Sequence, residues 1–225
     1  MGYTVRPMRV EDISQVSEID REAFPTQWPP PSFRTDLNSR MIRYIVACEE
    51  TNGLYCPVEV VEQKADGNLI RLISKIKYLF NRKGSSDNGT FPQTYQNIVG
   101  YAALWLMVDE AHLTSIAVRG THRRQGVGEL LLIFIIKLAA QLSAEVVTLE
   151  ARTSNLEAQA LYGKYGFIKA GVRRGYYSED DEDAVIMTTE TITSDSYQAR
   201  FHELKREYMQ RWGTIQGGFK LEEVS

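Results

Sequence analysis

The stretch Arg123-Arg124-Gln125-Gly126-Val127-Gly128-Glu129 holds two glycines two apart, with two arginines just upstream and the apolar run LLLIFIIKLAAQL directly behind. These residue types suit an anion. A helix start exposes unpaired amide N–H groups and the positive end of the peptide dipoles. Glycine lets a phosphate come close to the backbone, and arginine adds a charged fork of donors. A plain tight turn is the other reading of Gly-x-Gly. Two common phosphate loops are excluded. No Gly-x-x-x-x-Gly-Lys-Ser/Thr string exists, and Leu131 stands where a dinucleotide loop needs Gly or Ala.

The elements around that stretch follow from periodicity and breakers. Tyr3 to Pro7, RYIVACEE, NIVGYAALWLMV, AHLTSIAV and EVVTLEA read as strands. FIKAGVRRGYY and AVIMTTE make a hairpin about the acidic turn SEDDED. VEDISQVSEIDREAF sets Ile13, Val16, Ile19 and Phe24 at helical spacing. Prolines in PTQWPPPSF break that helix, and SFRTDLNSR starts a short one capped by Ser32. The helix behind the glycines runs to about Ser143. NLEAQALYGKYG is a helix capped by Asn155 and ended by Gly166, and SDSYQARFHELKREYMQRWG is a last helix with charges of both signs. Strands alternating with helices before a terminal hairpin predict an α/β three-layer domain with a mixed sheet.

With 225 residues, the chain has room for one domain with attachments. A net charge of −3 argues against broad nucleic-acid or membrane binding by charge. Cys48 and Cys56 offer no metal or disulfide framework and read as two thiols in a reducing cytosol. The N-terminus has no apolar signal core, and Arg6 spoils a myristoylation signal at Gly2, so a cytoplasmic protein is expected. Leu130 to Ala140 is too short to span a bilayer. Residues 51–96 read as an insertion. Its segment from Val60 to Gln96 carries six Lys or Arg against three Asp or Glu. Packing of Leu69, Ile70, Leu72, Ile73 and Ile76 on the domain is preferred over docking to an anionic partner.

Arg123-x-x-Gly126-x-Gly128, placed after LTSIAV and before a long helix, resembles the acetyl-CoA diphosphate loop of the GNAT N-acetyltransferases. VTLEARTSNLEAQALYGKYGF and GVRRGYYSEDDEDAVIM resemble the RimI-type branch, the ribosomal-protein-alanine N-acetyltransferases. The resemblance covers roughly residues 3–50 and 97–190. It implies a GNAT-type three-layer domain with a mixed, mostly antiparallel central sheet flanked by helices, over residues 1–192, followed by a helical extension at 193–225. The family's direct attack of an amine on a thioester needs an anchored acetyl-CoA, a neutral amine, a stabilised oxyanion and a departing thiolate. By resemblance, the amides of Arg124, Gln125, Gly126, Val127, Gly128 and Glu129 face the diphosphate, with Arg123 adding charge. Ile116, Ala117 and Val118 pair with the pantetheine as an added strand, on a strand that splays from its neighbour. The Val118 amide is the expected oxyanion donor. Asn155 contacts the cofactor chain. Glu150, in Leu-Glu-x-Arg, is the expected base, and Tyr162 the expected acid. From composition alone, Glu150 reads as an exposed strand-end carboxylate paired with Arg152 or a neighbour, and Tyr162 as a packing residue.

PTQWPPPSF aligns with the family's acceptor-covering loop. Pro25 is kept, while the tryptophan is displaced to Trp28. Tyr176, Tyr177, Asp180 and Asp181 stand at the hairpin, where carboxylates would steer a basic peptide. The resemblance implies a protein N-terminus as partner, that of a small-subunit ribosomal protein, with no metal. The rival readings are a lysine or small-molecule amine as acceptor, and a non-catalytic CoA-binding module.

Overall fold

The computed structural model describes residues 2–26, 30–49, 96–214 and 216–217. The expected insertion, apart from Gln96, lies outside the described residues, as does Trp28. The chain begins with β1 (Tyr3–Pro7) and a 3-10 turn at Val10–Asp12 that leads into α1 (Ile13–Ala23). The short α2 (Phe33–Asp36) and β2 (Ile42–Glu49) follow. After the insertion come β3 (Ile98–Leu106) and β4 (Glu110–Val118), then α3 (Val127–Gln141) and β5 (Val146–Arg152). Next are α4 (Leu156–Lys164) and the hairpin of β6 (Phe167–Tyr177) and β7 (Glu182–Thr189). The last elements are α5 (Asp195–Trp212) and β8 (Gln216–Gly217).

The strands lie in one sheet in the order β6-β7-β5-β4-β3-β2-β1-β8. Among the described residues, β4 with β5 and β1 with β8 run parallel and the other neighbours antiparallel. The mixed, mostly antiparallel sheet is therefore as the resemblance implied. The parallel pair needs a crossover, which α3 supplies.

Alternation along β2 builds both layers. Ile45 and Ala47 face a core shared with α3 and α5, while Tyr44, Val46 and Cys48 face one shared with α1 and Phe33. Helix α3 is apolar nearly all round because it is enclosed, with Leu130 through Ile136 all buried. Tyr197, Phe201 and Tyr208 of α5 join the same core.

Three details differ from the sequence reading. Helix α2 is only four residues long, and Ser32 receives Thr35 and Asp36 through its backbone oxygen rather than capping with its hydroxyl. Phe24 follows α1 at φ −132° instead of extending it, although it still packs on the α1 core. Strand β8 is two residues long, too short for any period, and exists by pairing with Thr4 and Val5.

Candidate active site

The anion loop is built as its residue types suggest. Gly126 caps α3 at φ 82°, a left-handed conformation natural to glycine, and Arg124 before it sits at φ 62°. The first helical bond runs from Leu130 N–H to Gly126 O at 2.9 Å. The amides of Val127, Gly128 and Glu129 therefore precede the ladder and carry no intrahelical acceptor. Gly128 is open on its outer side: a Cβ there would meet only Val118 Cγ2 at 3.7 Å. Gly126 is different, because a Cβ there would lie 2.8 Å from the Trp212 ring. That indole ends α5, and its Nε1 is buried without a hydrogen-bond partner among the described residues.

The loop side chains are held in distinct ways. Arg123 Nε donates to Val118 O at 3.3 Å, and Gln125 Oε1 accepts from Tyr3 Oη at 2.7 Å. Arg124 pairs with Glu157 at 2.7 Å with both side chains 78% exposed, a contact weak enough to yield to a phosphate. Glu129 turns its carboxylate away to Lys164 at 2.8 Å and the Tyr165 phenol at 2.9 Å. That neutralises an anion that would otherwise repel a diphosphate.

Beside this loop the sheet forks. Pairing of β4 with β5 ends at Leu113 and Leu149. Beyond it, β4 stays paired with β3 as far as Val118 opposite Gly100. The Arg119 N–H donates to Val99 O at 2.9 Å. Backbone groups alternate sides along a strand, so Ile116 and Val118 direct their N–H and C=O into the fork, whereas Ala117 directs its own to β3. A slot edged by strand backbone and closed by a helix start fits an extended, amide-bearing chain that ends in a diphosphate.

Glu150 is the first β5 residue past the last β4–β5 pair. Its side chain is 8% exposed. One carboxylate oxygen meets His112 Nε2 at 2.9 Å and the other Arg173 at 3.1 Å. Of the partners composition offered, Arg152 is engaged elsewhere. It binds Asp180 and Glu182 at 2.8 and 2.7 Å, reaches Glu179 at 3.6 Å, and lies 4.0 Å from the Tyr177 ring centre. Arg152 holds the Glu182 carboxyl down at about 2, assisted by the Ser154 amide.

Sequence reasoning missed His112. It stands on β4 directly opposite Thr148 of β5, and its Nδ1 lies 2.9 Å from the Thr148 hydroxyl. The available signal was a polar ring between the buried Ala111 and Leu113, hence on the opposite sheet face.

The other predicted residues take up these places. Tyr162 on α4 is buried against Phe167, and burial raises its phenol above the ordinary range, with Tyr177 adding to the effect. Asn155 caps α4 by accepting from the Ala158 N–H at 3.1 Å. As the cap it stands outside the helix, at ψ 67°. Tyr176 packs edge-on to Tyr177 near the Glu150 end of β6, under the Arg173 guanidinium. Burial raises both phenols, Tyr177 to about 12. Asp180 is tied to Arg152, and Asp181 turns the hairpin at φ 56°. Residues 179–183 are all acidic, and Arg152 pairs with three of them, Glu179, Asp180 and Glu182.

Among the described residues no group of His, Cys, Asp and Glu is arranged to hold a metal, and no helix is long and apolar enough to cross a membrane.

Known proteins match this arrangement. The sequence profile of the acetyltransferase (GNAT) family matches residues 63–167. A Bacillus subtilis protein, provisionally named a [ribosomal protein bS18]-alanine N-acetyltransferase, is 31% identical over 81% of this chain and 92% of its own length. An N-alpha-acetyltransferase of Sulfurisphaera tokodaii is 30% identical over 82% of this chain and 91% of its own. The crystal structure of the ribosomal-protein-S18-alanine N-acetyltransferase of Escherichia coli superposes with a TM-score of 0.58 at 22% identity, covering 86% of this chain and 97% of that one. The forked sheet, the glycine-capped helix and these relatives agree: the chain belongs to the GNAT family of N-acetyltransferases, whose acetyl donor is acetyl-CoA.

Proposed function

We propose that this acetyltransferase acts on a protein α-amino group in the cytoplasm, and specifically on the N-terminal alanine of a small-subunit ribosomal protein. The observation that carries the reading is the position of Glu150 at the mouth of the fork. A nearly enclosed carboxylate stands there beside strand backbone that can receive an extended chain. Acetyl-CoA supplies, when bound, a thioester carbonyl open to attack by an amine. The amides of Val127, Gly128 and Glu129 hold its diphosphate, with Arg123 and Arg124 adding charge. With that arm bound, Ile116 and Val118 would pair with it, and the Val118 N–H would stabilise the oxygen on which charge builds.

An α-amino group has a reference pKa of about 8, so at neutral pH it arrives mostly as ammonium and must lose a proton. Glu150 receives that proton, with Arg173 and His112 fixing its two oxygens. Tyr162 keeps the role of acid that the resemblance implies. Burial makes its phenol hold the proton more tightly than usual, while a thiol releases its own near about 8.5. Tyr162 therefore serves the departing sulfur by donating its hydroxyl hydrogen to it in a hydrogen bond as charge builds there. Tyr176, Tyr177, Asp180 and Asp181 form the acceptor wall, whose acidic balance suits the basic tails of ribosomal proteins.

Mass spectrometry of peptides incubated with acetyl-CoA tests this. Alanine-initiated basic peptides should gain one acetyl on the α-amino group, and acetylation confined to a lysine side chain or a small amine would reassign the acceptor. Replacing Glu150 with Gln should lower kcat by roughly 100-fold or more and leave the acetyl-CoA KM unchanged. A Glu150→Gln enzyme with the parent rate removes the base assignment. Tight CoA binding with no turnover on any amine would favour a binding module.

A further inference from the structure

We infer that Trp212 is a positioning residue for the acetyl donor: its indole holds Gly126 in the left-handed conformation that keeps the amides of Val127, Gly128 and Glu129 aimed at the diphosphate. This rests on the reading of that loop as the diphosphate site and adds to it a residue from the end of α5. The loop has little of its own to hold it. Gly126 sits at φ 82°, and glycine takes many other conformations about as readily. Arg124, two residues earlier at φ 62°, lies where a residue with a side chain is strained. A turn built from one free and one strained residue relaxes unless its surroundings fix it.

The surroundings act at each residue in turn. Arg123 Nε donates to Val118 O, and Gln125 accepts from Tyr3 Oη at 2.7 Å while its Nε2 donates to Thr121 O at 3.0 Å. At Gly126 the support is the indole. A Cβ there would lie 2.8 Å from Trp212 Cδ2 and 2.9 Å from both Cε2 and Cγ. Nearly equal distances to three adjacent ring atoms place the glycine over the flat of the five-membered ring. Any swing of Gly126 toward α5 is therefore blocked. The indole is fixed in turn by packing against the core that contains α3, beside the buried Tyr208 of its own helix. Its buried Nε1 meets no acceptor among the described residues, so packing and not a hydrogen bond sets the ring.

Such a brace acts on binding and leaves the chemical step alone. Without the ring, the loop spends time in conformations whose amides do not converge on one anion. Apparent affinity then falls by the fraction that stays competent, so a fraction of about one tenth gives about tenfold weaker donor binding. Once the donor is seated, the loop has the same form with or without the ring. Glu150 on β5 and Tyr162 on α4 stand on other elements and are unaffected.

Steady-state kinetics and CoA titration of full-length variants test this. Trp212→Ala should raise the acetyl-CoA KM and the CoA Kd about tenfold, with kcat and the peptide KM within about twofold. Trp212→Phe, whose flat ring still covers the glycine, should recover most of the loss. Phe201→Ala is the control, because it removes an aromatic ring from the same helix about three turns away. It should lower stability and leave the acetyl-CoA KM at the parent value, measured where both variants are folded. In the parent, the Trp212 indole N–H resonance, one of three and assigned by Trp212→Phe, should move when CoA is added. A Trp212→Ala enzyme with the parent acetyl-CoA KM overturns the inference. So does a Phe201→Ala enzyme with the same rise in KM, which would make the effect a general loosening of α5. Should Trp212→Ala fail to fold, an indole resonance indifferent to CoA overturns it. Gly128→Ala with parental CoA affinity overturns the reading of the loop instead, and that variant leaves Trp212 in place.

Discussion

The two glycines of the anion loop do different jobs, although their spacing makes them look equivalent. At Gly128 the fold accepts a side chain, since the nearest atom is at ordinary contact distance. Gly128→Ala should therefore fold as well as the parent, gaining a little helix propensity, while its methyl group holds off the diphosphate and raises the acetyl-CoA KM about tenfold. At Gly126 the left-handed backbone and the Trp212 ring both oppose a side chain. Gly126→Ala should lose roughly 1–2 kcal/mol from the backbone alone, before any contact with Trp212. Chemical denaturation beside CoA titration separates the two effects. A Gly128→Ala protein with parental CoA affinity would show that the ligand does not approach this amide. The same scale shows where sequence reading stopped. Glu150 and Tyr162 were reachable through motifs local in the chain. His112 was not, because it stands 38 residues before Glu150 and meets it only through the cross-strand register of β4 and β5.

Among the elements, the hairpin of β6 and β7 is held by charge at its tip. Glu182 accepts from Arg152, from the Thr153 hydroxyl and from the Ser154 amide at 2.7 Å. Its carboxyl lies at about 2, below the ordinary 4.5. A depressed carboxyl stabilises the folded form above its ordinary value, and that contribution fades as pH falls from about 4.5 toward 2. The Ser154 amide resonance should thus keep its hydrogen-bonded position well below pH 4.5, and Glu182→Gln should abolish its titration. A midpoint at 4.5 in the parent would mean the tip is open in solution. Periodicity made β1 to β7, α1, α3, α4 and α5 legible, because each buries one face or is wholly enclosed. The tip's wiring was not legible. A carboxylate run reads as a solvated turn, and nothing local shows that Arg152, far back on β5, gathers three of its members.

For the molecule as a whole, α5 is a structural member. Tyr197, Phe201 and Tyr208 are buried in the core that contains α3, and the Tyr197 hydroxyl donates to Tyr165 O at 2.9 Å. Phe201→Ala should lower stability by about 3–4 kcal/mol, seen as an earlier denaturation midpoint with unchanged slope. A loss below about 1 kcal/mol would mean that α5 only rests on the domain. The core therefore continues past residue 192, the boundary expected from the resemblance.

The indole of Trp212 against Gly126 joins this helix to the donor loop. Reciprocity then ties the two together: if unseating the end of α5 weakens the grip on acetyl-CoA, acetyl-CoA in its slot seats α5 more firmly by the same factor.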